Sequence, residues 1–236
     1  MQAVILAGGK GTRLKPYTTV FPKPLMPIND KPILEIVVKQ LKLCGCEEII
    51  MAVGHLSELI MAFFGNGDKF DVKIKYSKED MPLGTVGGLG LIKDELDETF
   101  LMMNGDVLTT LNFSDLISFH KKNGAIATIA LNKRDVKIDF GVVEIDGDRN
   151  ILKYIEKPKI DYLVSMGVYV FDSKVLNYVN KNEYLDFPDL IKKLIVQGEP
   201  VKGYIYDGYW LDIGRPEDYE RANNEGNKIY DKLLGG

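Results

Sequence analysis

The residues most able to do chemistry lie at the start of the chain. An apolar run, Ala3-Val4-Ile5-Leu6-Ala7, passes into the string GGKGTRLKPYTTVFPKPLMPI, from Gly8 to Ile28. The apolar run reads as a buried parallel strand. Gly8, Gly9 and Gly11 then leave a bend free of side chains, where backbone N–H groups can approach an anion closely. Arg13 and Lys23 add two cations to the same segment. Amide donors, room and countercharge are what a polyphosphate needs. A plain strand-to-helix turn would also use glycines, but Pro16, Pro22, Pro24 and Pro27 fix a long non-helical loop that ordinary packing does not require. The segment is therefore read as a phosphate site. It has neither the G-x-x-x-x-G-K-[ST] spacing nor the Gly-x-Gly-x-x-Gly of dinucleotide folds.

Two aspartates stand out next. Asp106 ends the apolar run Phe100-Leu101-Met102-Met103, in Asn104-Gly105-Asp106, where it is either a turn former or a cation ligand. Asp212 sits between Leu211 and Ile213 in a strand-like run, where a charge needs a partner or an ion unless it lies on the exposed face of an edge strand. No Ser-His or Cys-His pairing suggests itself. His55 and His120 read as surface or cap residues. Cys44 and Cys46 flank Gly45 at a spacing that suits neither zinc nor a redox pair, so they are expected to be reduced structural thiols at a helix end. That points to the cytoplasm.

The elements that must position these groups alternate through the first half. A helical stripe runs from Pro32 to Leu43, with Pro32 at the first helical position, and Glu48 to Val53 is a strand. Leu56 to Phe64 is a helix ending at Gly65, and Val72 to Tyr76 alternates as a half-exposed strand. Ser114 is expected to cap a short helix that stops near Gly124, before a strand from Ala125 to Leu131. This order predicts right-handed βαβ units and an α/β fold, Rossmann-like, with a mostly parallel (mixed) sheet flanked by helices. After residue 135 come a hairpin (Phe140 to Ile145, then Ile151 to Ile155), a strand from Val164 to Phe171 and a helix from Phe187 to Val196. Strands flanking Trp210 follow, and Pro216 opens a final amphipathic helix. One domain is expected over 1–236, with 136–236 adding strands and a lid over the same sheet as 1–135. Ligands of open α/β sheets bind beyond the carboxyl ends of the strands, and both the Gly8–Arg13 loop and Asp106 follow such ends.

Composition excludes several classes. The chain has 236 residues, 45% of them apolar and 27% charged, enough for a sizeable core and a wet surface. A formal net charge of −4 argues against nucleic acid as a partner. No basic lead-in precedes an N-terminal apolar stretch, and no run approaches eighteen apolar residues, so neither a signal peptide nor a membrane span is expected. A homodimer is expected, because the helix after Arg215 has no evident continuation to pack on.

The opening string resembles that of the sugar-1-phosphate nucleotidylyltransferases, or nucleotide-sugar pyrophosphorylases, which begin with a G-G-x-G-T-R-L loop and a P-K-P-L segment. The likeness continues in the family's order through Pro82-Leu83-Gly84-Thr85, Asn104-Gly105-Asp106, Phe140-Gly141-Val142, Glu156-Lys157-Pro158, Met166-Gly167-Val168-Tyr169 and Trp210-Leu211-Asp212-Ile213-Gly214. It covers the chain from residue 2 to about residue 220. No hexapeptide repeats follow, so the likeness is to the short form without a C-terminal β-helix.

The resemblance implies the nucleotide-diphospho-sugar transferase fold and attack of a sugar-1-phosphate oxygen on the α-phosphorus of a nucleoside triphosphate. Leu6, Ala7, Gly8, Gly9, Gly11, Thr12 and Arg13 would hold the triphosphate, and Lys23 would contact the phosphates of the reacting pair. Gly84 and Thr85 would sit against base and ribose, with Glu79 a further candidate for the base edge. Gly141, Glu156, Lys157 and Gly167 would line the sugar-phosphate side. Asp106 and Asp212 would share Mg²⁺, with Arg13, Lys23 and Asp106 as the catalytic set. Uridylyl- and thymidylyltransferases of the family usually carry a glutamine shortly before the position of Gly84, whereas Ser77 to Pro82 contains none. The Pro-Leu-Gly-Thr segment looks most like that of mannose-1-phosphate guanylyltransferases. GTP with mannose-1-phosphate, or a related sugar phosphate such as a heptose phosphate, is therefore the expectation. A thymidylyl-, uridylyl- or cytidylyltransferase acting on glucose-1-phosphate or another phosphorylated small molecule is the alternative. A non-catalytic subunit that binds nucleotide sugars should lack the metal carboxylates or the loop cation, and Arg13, Lys23, Asp106 and Asp212 are all present.

Overall fold

The computed structural model describes residues 1–79 and 81–234, the side chains at 227–229 excepted. Strand β1 (Gln2–Leu6) leads into the proline-rich segment, which holds 3-10 turns at Thr12–Leu14, Tyr17–Thr19 and Lys23–Leu25. The short pair β2 (Pro27–Ile28) and β3 (Lys31–Pro32) closes that segment. Next come α1 (Ile33–Leu43), β4 (Glu48–Val53), α2 (Ser57–Phe64) and β5 (Lys73–Lys78). β6 (Thr99–Asn104), β7 (Val107–Thr109) and α3 (Phe113–Lys122) complete the first half. The second half carries β8 (Ala127–Lys137), β9 (Val142–Ile145), β10 (Ile151–Ile155) and β11 (Lys159–Asp172). It ends with α4 (Phe187–Val196), β12 (Val201–Ile205), β13 (Trp210–Asp212) and α5 (Pro216–Leu233).

Seven strands form one sheet in the order β12-β8-β11-β6-β1-β4-β5. Each neighbouring pair is parallel except those that β11 makes with β6 and β8. The sheet is thus mixed and mostly parallel, with strands from both halves of the chain. β1 is covered on both faces, which explains its unbroken apolar sequence: Ala3 and Ile5 face α1, α2 and α3, while Val4 faces α4. Helix α1 is buried almost all round. Its Leu34, Val37, Val38 and Leu41 pack on the sheet, and Ile33 and Ile36 join a further layer with Leu211 and Ile213 beside β7, and Ala222 and Leu233 of α5. Each such side chain fully withdrawn from water contributes about 1.5–3 kcal/mol.

Several expectations need correction. Helix α1 begins at Ile33, because Pro32 is extended and pairs with Pro27 in the β2–β3 ladder. Helix α3 is capped by Asn112, whose side chain accepts from the N–H groups of Ser114 (2.9 Å) and Asp115 (3.3 Å); Ser114 already lies in the first turn, too late to cap it. β8 and β11 both run beyond the sheet and pair as an arm, with Lys133–Asp161 and Lys159–Asp135 ion pairs across it. Their extensions are rich in charge (Lys133, Arg134, Asp135 and Lys137 on β8; Lys159 and Asp161 on β11), so the sequence reading stopped short. The bare last helix that suggested a homodimer is not bare: α5 packs on α1, and the Tyr219 hydroxyl donates to the Pro27 carbonyl. Cys44 and Cys46 are free thiols. No described helix is long and apolar enough to cross a membrane.

His55 is exposed, but His120 is not the surface or cap residue expected; it is buried on α3 with Nδ1 2.9 Å from the Thr128 hydroxyl. Burial holds its pKa below the ordinary 6.5. A depressed value means that the folded state resists the proton the unfolded chain accepts, so the stability tied to neutral His120 is present above 6.5 and lost as pH falls through the lower folded value. The urea midpoint of the protein should therefore fall between about pH 7 and about pH 5. His120→Gln, which cannot titrate, should fall less over that range; equal losses would place the acid sensitivity elsewhere.

Candidate functional site

Sheet order decides where the site lies. From β1 the chain moves to β4 and β5 on one side, then returns to place β6 on the other. The carboxyl ends of β1 and β6 therefore diverge at a switch point, where open α/β sheets form their crevice. Leu6 lies opposite Ala52 of β4 and Asn104 of β6, so the segments after all three strands emerge side by side. Gly8 and Gly54 make this possible: a Cβ on Gly54 would stand 3.0 Å from the Gly8 carbonyl oxygen. Gly11 has φ +58° and is pressed against Thr18, whose hydroxyl donates to its carbonyl at 2.7 Å. Leu14 is buried and anchors the turn, leaving Arg13 exposed with its guanidinium over Gly214.

Lys23 sits on the turn that Pro22 and Pro24 fix and is 9% exposed, a burial that requires a partner. It has one: Nζ forms an ion pair with Asp106 Oδ2. Asp106 Oδ1 is buried and accepts no hydrogen bond in the described structure. Asp212 reaches the same place because β13 pairs antiparallel with β7, putting it opposite Val107, while the Ile213 N–H donates to the Asp106 carbonyl at 3.1 Å. Burial, and then the Asp106 charge, push the Asp212 carboxyl above its ordinary value against the pull of Lys23 and Arg13. An orphaned carboxylate oxygen beside a second carboxylate that resists ionisation is suited to a divalent cation. Mg²⁺ in particular takes one or two protein carboxylates and fills its octahedron with phosphates and water.

A cleft of about 500 Å³ opens over the glycine loop. Leu6 to Arg13, Lys10 excepted, line it together with Lys23 and Asp106 on one side and Glu79, Gly84 and Thr85 on another. Glu79 is partly committed, since its Oε2 accepts from the Leu83 N–H at 3.1 Å. A second cavity of about 600 Å³ shares Leu6, Thr85 and Asn104 with the first. Its floor is Tyr169 stacked on Phe187, with ring centroids 3.8 Å apart, and Ser165 and Asp186 add polar groups.

The expected sugar-side residues divide. Gly167, at φ +73° in a bulge of β11, backs directly on Asn104: a Cβ there would come within 2.6 Å of Asn104 Nδ2. The Trp210 indole donates to the neighbouring Met166 carbonyl at 2.9 Å, which ties β13, and so Asp212, to that bulge. Gly141, Glu156 and Lys157 instead belong to the exposed β9–β10 hairpin and line neither cavity; Tyr154 covers Gly141 and donates to Glu156 Oε2 at 3.0 Å. The sequence reading missed Gly54, Asn104, Tyr184, Asp186 and Phe187. The strand-end rule that found Gly8 and Asp106 applies equally to Gly54 and Asn104. Tyr184 to Phe187 carry no such signal, since they reach the site only through packing.

A family model described as "Nucleotidyl transferase" matches residues 2–228. A UTP–glucose-1-phosphate uridylyltransferase of Synechocystis sp. is 36% identical over 94% of this chain and 62% of its own length. The mannose-1-phosphate guanylyltransferase of Mycobacterium tuberculosis is 32% identical over 94% of this chain and 64% of its own. The chain thus spans just under two thirds of these curated relatives. Among solved structures, a Bacillus anthracis protein assigned as a glucose-1-phosphate thymidylyltransferase superposes with a TM-score of 0.78, 28% identity and coverage of 97% of this chain and 96% of that one. HddC from Yersinia pseudotuberculosis, solved with GMP-PN, gives a TM-score of 0.74 and 25% identity, covering 95% and 99%. The fold is the nucleotide-diphospho-sugar transferase fold of these neighbours.

The raised Asp212 value has a direction that can be measured. The folded state holds that proton more tightly than the unfolded chain, so the stabilisation is present below the ordinary carboxylate range and lost as pH rises through the folded value. Ionised Asp212 then counts against folding at neutral pH. In chelator-treated protein at neutral pH, Asp212→Asn should raise Tm by about 2–4 °C. The gain should shrink at about pH 4. A lower Tm would mean that Asp212 is held by partners and not strained.

Proposed function

The chain belongs to the nucleotidyl transferase family, and on that premise we propose that it makes a nucleotide sugar and pyrophosphate from a nucleoside triphosphate and a sugar-1-phosphate. The observation that carries the reading is the meeting of Arg13, Lys23, Asp106 and Asp212 beyond the strand ends, with Arg13, Lys23 and Asp106 lining the cleft over the glycine loop. The cleft over the glycine loop takes the triphosphate, and the cavity over Tyr169 and Phe187 takes the sugar, whose apolar ring face suits an aromatic floor. On this reading 1–236 is a single nucleotidylyltransferase domain, its first half binding nucleotide and its second half sugar phosphate, working in the cytoplasm where triphosphates are made.

The chemistry asks little of side chains. A sugar-phosphate oxygen attacks the α-phosphorus, the bond from that phosphorus to the bridging oxygen breaks, and pyrophosphate leaves with the electron pair. A phosphate dianion is already a nucleophile, so no base is needed. The glycine-loop amides orient the triphosphate, Arg13 meets the charge that grows on pyrophosphate, and Lys23 screens the approach of two anions. Asp106 and Asp212 would hold Mg²⁺, which when bound neutralises phosphate charge at the reacting centre. Glu156 and Lys157 would meet the sugar phosphate from the β9–β10 hairpin.

GTP with mannose-1-phosphate or a heptose-1-phosphate remains the favoured pair. The guanylyltransferase names among relatives and the GMP-PN complex of HddC support it. The 36%-identical uridylyltransferase supports the alternative of UTP or dTTP with glucose-1-phosphate. Incubating the protein with each of five triphosphates and each sugar phosphate, with pyrophosphate release as readout, tests both. Highest kcat/KM with GTP and mannose-1-phosphate or a heptose phosphate is expected. Preference for UTP or dTTP would transfer the assignment to the alternative, and no release with any pair would overturn the reading. Asp106→Asn and Asp212→Asn should each cut turnover by about two orders of magnitude. The double variant should be little worse than either, because the two residues serve one ion. Fully additive losses, or activity that survives EDTA, would sink the shared metal.

A further inference from the structure

Segment 183–187, which joins the arm half to α4, lies backbone against backbone on the loop from Leu83 to Gly87. The Leu185 N–H donates to the Leu83 carbonyl at 2.9 Å, and the Leu185 carbonyl accepts from Val86 and Gly87 at 3.0 and 3.1 Å. Gly84, at φ +79°, leaves no room for a side chain, since a Cβ would stand 2.6 Å from the Leu185 oxygen. Asp186 locks the seam. Its Oδ1 accepts from the Thr85 N–H (3.0 Å) and hydroxyl (3.3 Å), and its Oδ2 accepts from the Tyr184 hydroxyl at 2.6 Å. In return, the Thr85 hydroxyl accepts from the Phe187 N–H at 2.6 Å and so caps α4.

The Tyr184 ring is therefore held in one place although it is 60% exposed and lines the cleft. An exposed tyrosine ordinarily keeps its rotamer freedom; a short bond to a carboxylate removes that freedom before any ligand arrives. The surroundings say what ligand group it meets. Among the described residues, the cations lining the cleft are Arg13 and Lys23, both on the glycine-loop segment. The wall built from Glu79, Pro82, Gly84 and Tyr184 has none, so it faces a part of the ligand that is not phosphate.

We infer that Tyr184 is a nucleoside-contacting residue whose ring stacks on the base of the bound triphosphate, and that Asp186 is the positioning residue that holds it there. The inference rests on the cleft being the triphosphate site proposed above. Stacking tolerates any base, so Tyr184 supplies affinity for the nucleoside and leaves the choice among bases to other groups. Through Thr85, which lines both cavities, the same carboxylate sets where the nucleotide wall stands relative to the sugar cavity.

Calorimetric titration with GTP, UTP, dTTP and inorganic tripolyphosphate, each with Mg²⁺, tests this independently of turnover. Tyr184→Ala should weaken binding of every nucleotide the wild type binds by about tenfold. It should leave tripolyphosphate unchanged, because that probe has no base. Tyr184→Phe, which keeps the ring but loses the tether, and Asp186→Asn should weaken nucleotide binding less, again without effect on tripolyphosphate. Equal nucleotide affinity in Tyr184→Ala would overturn the inference alone. Loss of tripolyphosphate binding in Asp186→Asn would show that this carboxylate shapes the phosphate loop and would overturn its positioning role. Failure of the wild type to bind any triphosphate would overturn the function proposed above, and the inference with it.

Discussion

Asp106 and Asp212 are held side by side at the mouth of the sheet, and two carboxylates so placed repel unless positive charge is set beside them. Much of the surrounding structure supplies that charge or holds it in position. Lys23 is buried against Asp106 by a turn that Pro22 and Pro24 pre-set, which lowers the entropy cost of fixing a long side chain. Arg13 is carried in on the turn that Leu14 anchors. The compensation is incomplete, since Asp212 still resists ionisation and Asp106 keeps an oxygen without a partner. Such strain costs stability in the protein alone, a familiar arrangement at functional sites.

The sheet gives this cluster its place. β1 lies between β4 and β6, all three parallel, so their carboxyl ends present backbone to one crevice. Close approach of Gly8 to Gly54 keeps the crevice floor free of side chains. The single reversed strand, β11, bulges at Gly167 exactly where Asn104 leaves the sheet and Trp210 anchors β13. Asn104, Gly167, Trp210 and Asp212 thus form one continuous mechanical path between the two halves of the chain. Beside it lie two cavities with a common wall of Leu6, Thr85 and Asn104.

The β9–β10 hairpin stands apart from this framework. Its Glu156 and Lys157 are exposed and its Gly141 is covered by Tyr154, so the groups that resemblance assigns to the sugar phosphate are not gathered at the cavity that the core provides. The arm formed by β8 and β11 carries its own cross-strand ion pairs, and its geometry is set by local pairing and not by packing on the core.

Much of the molecule was legible from residue type and spacing. Apolar runs gave β1 and β6, the 3.6-residue stripe gave α1 and α2, and the glycines with Arg13 and Lys23 marked the loop that lines the cleft, because these signals act between near neighbours in the chain. Boundaries slipped where a longer-range contact decided them, as when the β2–β3 ladder took Pro32 out of α1. Other features could come only from the tertiary structure. The pairing of β13 with β7 puts Asp212 beside Asp106, Thr85 is bolted to Asp186, and His120 is buried against Thr128. Each of these depends on which strands become neighbours and which faces are covered. That is settled by burial over the whole sheet, a property of the assembled chain that no local window of sequence contains.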